Sequence, residues 1–226
     1  MFVITGAGLK EIKEGTAVYT KNGEEDTLDG DAILLATGRG PNTEGLHAER
    51  AGVELTKRGA VVTDKHLRTT AENIWAAGDV CGNLQFTYIS LDDSRIILSD
   101  MQGDGSRTTE NRGAFAYSVF MEPSFSRVGL SEKEAADKGL NYRVVRMNTD
   151  MIPKAKVLRK TTGMLKAVID KDSGKIFGAA LFCPESYEII NMVKLAMDHD
   201  LDYTVLRDFI YTHPTMSEGL NDLFAL

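Results

Sequence analysis

The chain has 226 residues, of which 42% are hydrophobic and 26% are charged, an ordinary balance for a folded protein with a buried core. The formal net charge of -7, without a basic stripe, argues against a nucleic acid partner. Because no apolar run approaches membrane-spanning length and the start lacks the features of a secretion signal, we expect no membrane partner and a cytoplasmic location.

The first forty residues are predicted to form short strands. The alternating residues 16–20 indicate a strand, residues 21–24 (Lys-Asn-Gly-Glu) a hairpin turn, and residues 31–36 a buried strand. Residues 6–8 (Gly-Ala-Gly) begin like a dinucleotide-binding loop, but the third position of that motif is Glu11 and no helical pattern follows. We therefore reject a dinucleotide loop there.

The next region is predicted to contain two strands and a helix. Residues 59–64 and 73–77 are typical of strands, and residues 88–101 of a helix. That helix is expected to place on one side Ile89, Ile96, Ile97 and Met101. Residues 103–111 are polar and rich in glycine, serine and threonine, so we predict a flexible segment and a domain boundary there.

From about Gly113 onward the pattern predicts an α+β unit. Ser131 opens a short helix through a capping box, and residues 164–170 and 175–183 form a strand hairpin. An amphipathic helix follows, and a final short helix runs from near Thr215 to the end. The apolar face of the amphipathic helix is formed by Ile189, Ile190, Val193, Ala196 and Met197.

Gly78 and Asp79 follow a predicted strand and form a first candidate site. Glycine allows backbone to approach a ligand closely, and the carboxylate can accept hydrogen bonds from ligand hydroxyls such as those of a ribityl chain. The helix that begins near Tyr88 directs its N–H groups and positive dipole end toward the same place, which suits a reduced flavin. On its own, however, Gly-Asp is more typical of a simple tight turn.

His213 is the second candidate site, because a histidine can exchange protons with a thiol or thiolate near neutral pH. Glu218 lies on the first turn of the following helix, where it can fold back and fix the imidazole tautomer. Thr215 and Glu218 also have the spacing of a capping box, and the histidine alone is equally a partly buried residue at a loop–helix junction. The residues by themselves leave these alternatives open.

Three spaced motifs accompany these sites: Ala-Thr-Gly-Arg-Gly-Pro-Asn at 36–42, Ala-Ala-Gly-Asp at 76–79 and His-Pro-Thr-Met-Ser-Glu at 213–218. With them the chain resembles the C-terminal half of the flavoprotein disulfide reductases, the pyridine nucleotide-disulfide oxidoreductases. The resemblance covers essentially the whole chain. Residues 86–93 and 216–224 are similar to the bacterial branch linked to reactive-chlorine resistance, often called mercuric-reductase-like.

The resemblance implies an α/β and α+β fold in three parts. Residues 1–40 would be a remnant of the NAD(P)-binding domain and residues 41–110 the C-terminal segment of the FAD-binding domain, a partial Rossmann-like region. Residues 111–226 would form an α+β dimerisation domain with an antiparallel sheet, through which the protein forms a homodimer.

By the same resemblance, FAD and NAD(P)H are the expected cofactors and no metal site is expected. Gly78 and Asp79 would hold the FAD ribityl chain, and Gly38 would lie near the bound nicotinamide nucleotide. The isoalloxazine ring would lie beside Gln85, Phe86, Thr87 and Tyr88.

The resemblance also assigns the second site. His213 would be the acid/base that serves the redox disulfide of the partner subunit, with Glu218 orienting it. A cis peptide between His213 and Pro214 is expected, since a tertiary amide makes that isomer accessible.

The chain departs from the family pattern in several respects. It contains no Cys-x4-Cys redox pair, no FAD pyrophosphate loop and no complete nicotinamide-nucleotide loop. Cys81 and Cys183 are far apart and fit small buried thiols better than a redox or metal pair. The vicinal cysteines with which mercuric reductases usually end are replaced by Asp-Leu-Phe-Ala-Leu at 222–226, which argues against mercury chemistry.

We therefore expect a C-terminal fragment of a flavoprotein oxidoreductase that passes electrons from NAD(P)H through FAD to a cysteine pair. Its acceptor would be a small molecule, a disulfide or a metal ion, and the fragment alone would be inactive. The alternative is a self-associating dimerisation module without catalysis of its own.

Overall fold

The computed structural model describes residues 3–226, which contain two antiparallel sheets. The first is a three-stranded meander made of β1 (Ala7–Lys13), β2 (Thr16–Lys21) and β3 (Glu24–Asp29). Its second turn places Asn22 and Gly23 at φ 53° and 87°, the positive values that a two-residue hairpin turn favours. The predicted strand at 16–20 and the predicted turn at 21–24 are therefore confirmed.

The prediction of a buried strand at 31–36 is wrong. These residues have no regular structure, and Leu34 is 89% exposed. A buried strand needs strands at its edges and cover on its faces, and no described segment pairs with these residues. The rejection of a dinucleotide loop at 6–8 agrees with the structure, since β1 begins at Ala7 and a hairpin follows instead of a helix.

The two strands predicted at 59–64 and 73–77 are also wrong. Each reduces to a single bridge, Leu55 with Val61 and Arg68 with Trp75. Gly59 and Asn73, both at positive φ, lie in the tight turns between the bridged segments. Turns this close together leave room for one bridged pair and no continuous ladder.

The long helix of this region is confirmed as α1 (Thr87–Gln102). Ile89 and Ile96 are buried, as predicted, and Ile97 packs at the edge of a small cluster formed by Leu67, Cys81 and Ile96. Met101, predicted on the same side, is 54% exposed because the small cluster does not extend to the end of the helix.

The second sheet has five antiparallel strands in the order β4-β5-β8-β7-β6. The strands are β4 (Ala116–Val119), β5 (Phe125–Gly129), β6 (Tyr142–Asn148), β7 (Met164–Asp170) and β8 (Ile176–Phe182). β7 and β8 form the predicted hairpin, in which Leu165 lies opposite Leu181. The expected α+β unit with an antiparallel sheet is confirmed.

The helices of this unit are α2 (Glu132–Asp137), α3 (Pro153–Leu158), α4 (Ser186–Asp198), α5 (Thr204–Arg207) and α6 (Gly219–Ala225). The capping box at the start of α2 is confirmed, because Ser131 and Glu134 each accept the backbone N–H of the other. The last helix begins at Gly219, later than predicted, because Thr215 and the residues after it form a turn. Across residues 3–226, no helix is both long and apolar enough to span a bilayer.

The main core lies between the second sheet and helices α4 and α6. Four of the five residues predicted on the apolar face of α4 are buried, and Met197 is partly buried at its edge. α6 contributes Leu220, Leu223 and Phe224, each at most 1% exposed. Since burial of one such side chain stabilises a fold by roughly 1.5–3 kcal/mol, this core dominates the stability of the second unit.

Candidate functional site

Gly78 and Asp79 begin a 3-10 turn, Gly78–Cys81, that packs against the start of α1. Gly78 is buried at φ 75°, and a Cβ atom there would lie 2.7 Å from Ser90 Oγ. The position therefore needs glycine both for its backbone conformation and for space. The Asp79 side chain is 49% exposed, so its carboxylate oxygens are accessible to a ligand, and Arg39 Nη1 lies 4.0 Å from one of them.

The turn packs against α1, which begins at Thr87. Phe86 precedes the helix without a side-chain cap, so the first N–H groups, those of Thr87 and Tyr88, are available to an acceptor. The dipole of a helix of this length favours negative charge at that end. The Asp79 carboxylate is suited to accept hydrogen bonds from the ribityl hydroxyls of FAD. The helix N-terminus is suited to the electron-rich pyrimidine part of its ring.

Aromatic side chains continue from α1 into the second sheet. The ring of Phe86 lies 5.3 Å from those of both Tyr88 and Phe115, and the Tyr88 hydroxyl donates to Ala116 O at 2.5 Å. Burial raises the pKa of Tyr88. A cavity of about 700 Å³ lies beside this cluster, and its walls include Phe86, Thr87, Tyr88, Tyr117 and Tyr187. Gln85, also predicted here, is half-buried just before the cluster.

Gly38 lies in the exposed, irregular segment at 31–40. Its φ is 98°, and a Cβ atom there would meet nothing within 4 Å, so backbone conformation alone favours glycine. Arg39 is the residue that brings this segment near Asp79. The structure thus brings Asp79 and the start of α1 together, and leaves Gly38 at the edge of that arrangement.

Two buried aspartates beside the turn were missed in the sequence. Asp93, 3% exposed, accepts the Gly78 N–H at 2.7 Å and forms an ion pair with Arg112. Asp92, 8% exposed, pairs with Arg107 and lies 3.3 Å from the Arg112 Nε atom. The segment at 103–111, predicted to be flexible, is thus attached to α1 through Arg107. Aspartates that share the predicted buried side of α1 with Ile89 and Ile96 were the available signal, because buried carboxylates need partners.

His213 and Glu218 form a pair at the C-terminal site. His213 Nδ1 lies 2.7 Å from Glu218 Oε2; the imidazole is 68% exposed and the carboxylate 15%. The other oxygen, Oε1, accepts the Thr215 N–H at 3.0 Å, and Thr215 Oγ1 accepts the Glu218 N–H at 3.3 Å. The capping box and the imidazole contact, alternatives in the sequence, therefore coexist. The peptide bond between His213 and Pro214 is cis, as expected.

The two sites lie on different units of the chain, and among residues 3–226 no hydrogen bond or ion pair joins Asp79 to His213. Cys81 ends the Gly78–Cys81 turn and Cys183 lies in the main core, and both thiols are buried. Burial is the main reason that the pKa of Cys81 rises to about 11 and that of Cys183 to about 12. Both are therefore protonated and poorly reactive near neutral pH. No group of three or more potential metal-binding side chains is found in the described part of the chain.

Comparison with protein families gives two matches that agree with this organisation. Residues 2–94 match the family model for pyridine nucleotide-disulphide oxidoreductases. Residues 115–224 match the model for the pyridine nucleotide-disulphide oxidoreductase dimerisation domain.

The chain is also similar to individual proteins of this family. The chain is 48% identical over 224 residues to the probable pyridine nucleotide-disulfide oxidoreductase RclA of Escherichia coli, covering 99% of this chain and 51% of the relative. It is 34% identical over 223 residues to a mercuric reductase of Staphylococcus aureus, covering 96% and 40%. A solved Cu(II) complex of the HOCl-induced flavoprotein disulfide reductase RclA from Escherichia coli superposes with a TM-score of 0.87 at 48% identity, covering 95% and 48%. The chain spans about half the length of the curated relatives it matches.

Proposed function

Because the chain belongs to the pyridine nucleotide-disulphide oxidoreductases, we propose that it forms the dimerisation domain and part of the cofactor-binding region of an FAD- and NAD(P)H-dependent oxidoreductase. The observation that carries the proposal is the exposed imidazole of His213 held by the largely buried carboxylate of Glu218. A histidine held in this way suits proton exchange with a thiol near neutral pH.

FAD, when bound, takes up the electrons of a nicotinamide hydride and passes them to an acceptor. Asp79 is proposed to accept hydrogen bonds from the ribityl hydroxyls, since its half-exposed carboxylate follows the buried Gly78. The uncapped start of α1 would stabilise negative charge on the pyrimidine ring. We assign Gly38 to the nicotinamide-nucleotide side, and we assign to the isoalloxazine side Gln85, Phe86, Thr87 and Tyr88.

The proton chemistry follows from the contacts of the histidine. When Glu218 accepts the Nδ1–H of His213, the neutral imidazole keeps its Nε2 lone pair free. Nε2 can then take the proton of a thiol in the partner subunit, leaving a thiolate and an imidazolium whose charge Glu218 offsets. The reverse transfer returns the proton to a thiolate. The thiol belongs to a redox cysteine pair other than Cys81 and Cys183, because both of these are buried.

A homodimer through residues 111–226 would bring His213 to the partner subunit. The exposed apolar side chains close to the histidine support this arrangement, since Phe209 is 57% and Ile210 93% exposed. Apolar groups exposed together are typical of surfaces that a partner covers. The boundaries at residues 40 and 110 remain our assignment of the three domains.

The electron acceptor is proposed to be a small molecule, a disulfide or a metal ion. The Cu(II) complex of the Escherichia coli protein and the mercuric reductase relative favour a metal ion as a candidate to test beside a disulfide. The Cu(II) complex of the Escherichia coli relative makes Cu(II) the first ion to try.

The test is NADH and NADPH oxidation by the complete gene product that contains this chain, with a disulfide or Cu(II) as acceptor. His213→Gln should lower turnover by a factor of about 10² or more, the range of general acid–base catalysis, without changing flavin content. His199→Gln is the matched control, since His199 is exposed at the end of α4 and should leave turnover unchanged.

Unchanged turnover of His213→Gln would contradict the acid/base role. An unaltered gene product that carries no flavin and oxidises no NAD(P)H would contradict the oxidoreductase. If that protein still self-associates, the alternative of a dimerisation module without catalysis is supported.

A further inference from the structure

The buried carboxylate of Asp93 contacts backbone of the Gly78–Asp79 turn directly. Its Oδ2 atom accepts the Gly78 N–H at 2.7 Å, a contact in which both groups are buried. A charged acceptor makes this bond stronger than an ordinary backbone hydrogen bond. Gly78 has φ 75°, and a Cβ atom there would lie 2.7 Å from Ser90 Oγ, so the turn requires glycine at this position, and Asp93 holds the N–H of that glycine.

Asp93 is an unexpected residue at its position. It lies on the buried side of α1 between Ile89 and Ile96, where an apolar side chain would fill the same space. A buried carboxylate is costly unless it is paired and hydrogen-bonded. Asp93 meets both conditions, because one oxygen binds Gly78 and the other pairs with Arg112.

Arg112 connects this contact to the second unit. Gly113 follows it at φ 79°, and the next N–H, that of Ala114, donates to Asp198 Oδ1 at the end of α4. A continuous series of contacts thus runs from the turn through Asp93 and Arg112 to the last turn of α4. Arg112 and Asp93 also line, with Gly78, a cavity of about 390 Å³.

We infer that Asp93 is a positioning residue: it fixes the Gly78–Asp79 turn through the Gly78 N–H, and Arg112 ties that turn to the segment that leads into β4 and contacts the end of α4. The inference rests on the proposed function only in naming FAD as the ligand of the turn. Asp92, next to it on α1, is also buried, pairs with Arg107 and lies 3.3 Å from Arg112 Nε, but it does not contact Gly78. Asp92 therefore provides an internal control.

The first experiment measures amide hydrogen exchange of Gly78 in this chain without cofactor. Asp93→Ala should speed exchange of the Gly78 amide by about tenfold or more, the factor expected for loss of a hydrogen bond to a charged group. Asp93→Asn, which keeps an acceptor oxygen of the same shape, should have a smaller effect and replaces Asp93→Ala if that variant does not fold. Asp92→Asn should leave the Gly78 amide unchanged.

The second experiment measures the dissociation constant of FAD for the complete gene product. Asp93→Ala should weaken FAD binding by about tenfold, while Asp92→Asn, compared at matched thermal stability, should stay within about twofold. A Gly78 amide insensitive to Asp93→Ala, or an equal effect of Asp92→Asn, would overturn the positioning role. If the Gly78 amide responds as expected but the unaltered protein binds no FAD, the positioning role stands and the proposed cofactor is wrong.

Discussion

His213 Nδ1 lies 2.7 Å from one oxygen of Glu218, and the other oxygen of that carboxylate accepts the Thr215 N–H at 3.0 Å. The same side chain therefore orients the imidazole and holds the turn that presents it. A glutamine has one acceptor oxygen, and its NH2 group cannot accept a hydrogen bond. It can accept from His213 and leave the Thr215 N–H unpaired, or accept from Thr215 and donate to a His213 Nδ1 that carries no proton. In the second case the proton is on Nε2, which then cannot take one from a thiol.

We predict that Glu218→Gln lowers turnover of the complete gene product by about tenfold, less than His213→Gln does, because the proton-exchanging group is still present. The free energy of unfolding should fall by about 1 kcal/mol, the usual contribution of one hydrogen bond. Steady-state kinetics and urea unfolding measure the two effects. Glu72→Gln is the control, since it changes an exposed glutamate elsewhere and should alter neither turnover nor the free energy of unfolding. Full activity of Glu218→Gln would exclude the orienting role.

Gly78→Ala should destabilise the chain by about 1–3 kcal/mol, because the new Cβ atom meets Ser90 Oγ at 2.7 Å and φ is 75°. Gly38→Ala is the matched control: its φ is 98°, but a Cβ atom there meets nothing within 4 Å. Urea unfolding of both variants separates crowding from backbone strain. Adding Ser90→Ala to Gly78→Ala should restore part of the loss, and equal losses at the two glycines would show that crowding contributes little.

The exposed pair Phe209 and Ile210 predicts the position of the dimer contact. Ile210→Asp should convert a homodimer into monomers at micromolar concentration, because a buried unpaired carboxylate opposes association. Sedimentation velocity measures the change. Leu46→Asp, at a 60% exposed leucine outside the dimerisation domain, should leave the dimer intact. A dimer that tolerates Ile210→Asp would exclude this surface, and an unaltered protein that sediments as a monomer would exclude the homodimer.

The capping box of α2 predicts a pH dependence of stability. Hydrogen bonds from Ser131, together with the neighbouring Arg127, lower the pKa of Glu134 to about 2 from a usual value of 4.5. Because the pKa is lower in the folded state, the contribution of Glu134 is complete above about pH 4.5 and is lost as the pH falls toward 2.

Glu134→Gln should therefore reduce stability at pH 7 and have little effect near pH 2, as measured by urea unfolding at both values. Ser131→Ala should cost about 1 kcal/mol at pH 7, the usual effect of losing an N-cap. An effect of Glu134→Gln that is the same at both pH values would contradict the assignment of this pKa shift.

Local patterns predicted the elements that depend on local interactions. α4, the β7–β8 hairpin and the capping box at Ser131 follow from periodicity and turn residues, which act between neighbours in sequence. The strands predicted at 59–64 and 73–77 failed because a strand requires a pairing partner, which apolar content alone does not supply.

The candidate site shows the same difference between contacts that are local in sequence and contacts between distant residues. His213 and Glu218 are five residues apart, and their spacing was enough to suggest the contact that the structure contains. Asp93 pairs with Gly78 and with Arg112, 15 and 19 residues away in sequence. No periodic pattern connects such distant residues, so only the presence of charge on the buried side of α1 could have drawn attention to Asp93.

The exposed leucines of the irregular segment at 31–40 favour association between molecules of this chain. The apolar side chains of Leu34 and Leu35 are exposed to solvent, and no described residue covers them. The formal charge of -7 opposes association, because the molecules repel one another. Salt screens that repulsion and acid neutralises the carboxylates that cause it, so the chain should aggregate more readily under either condition.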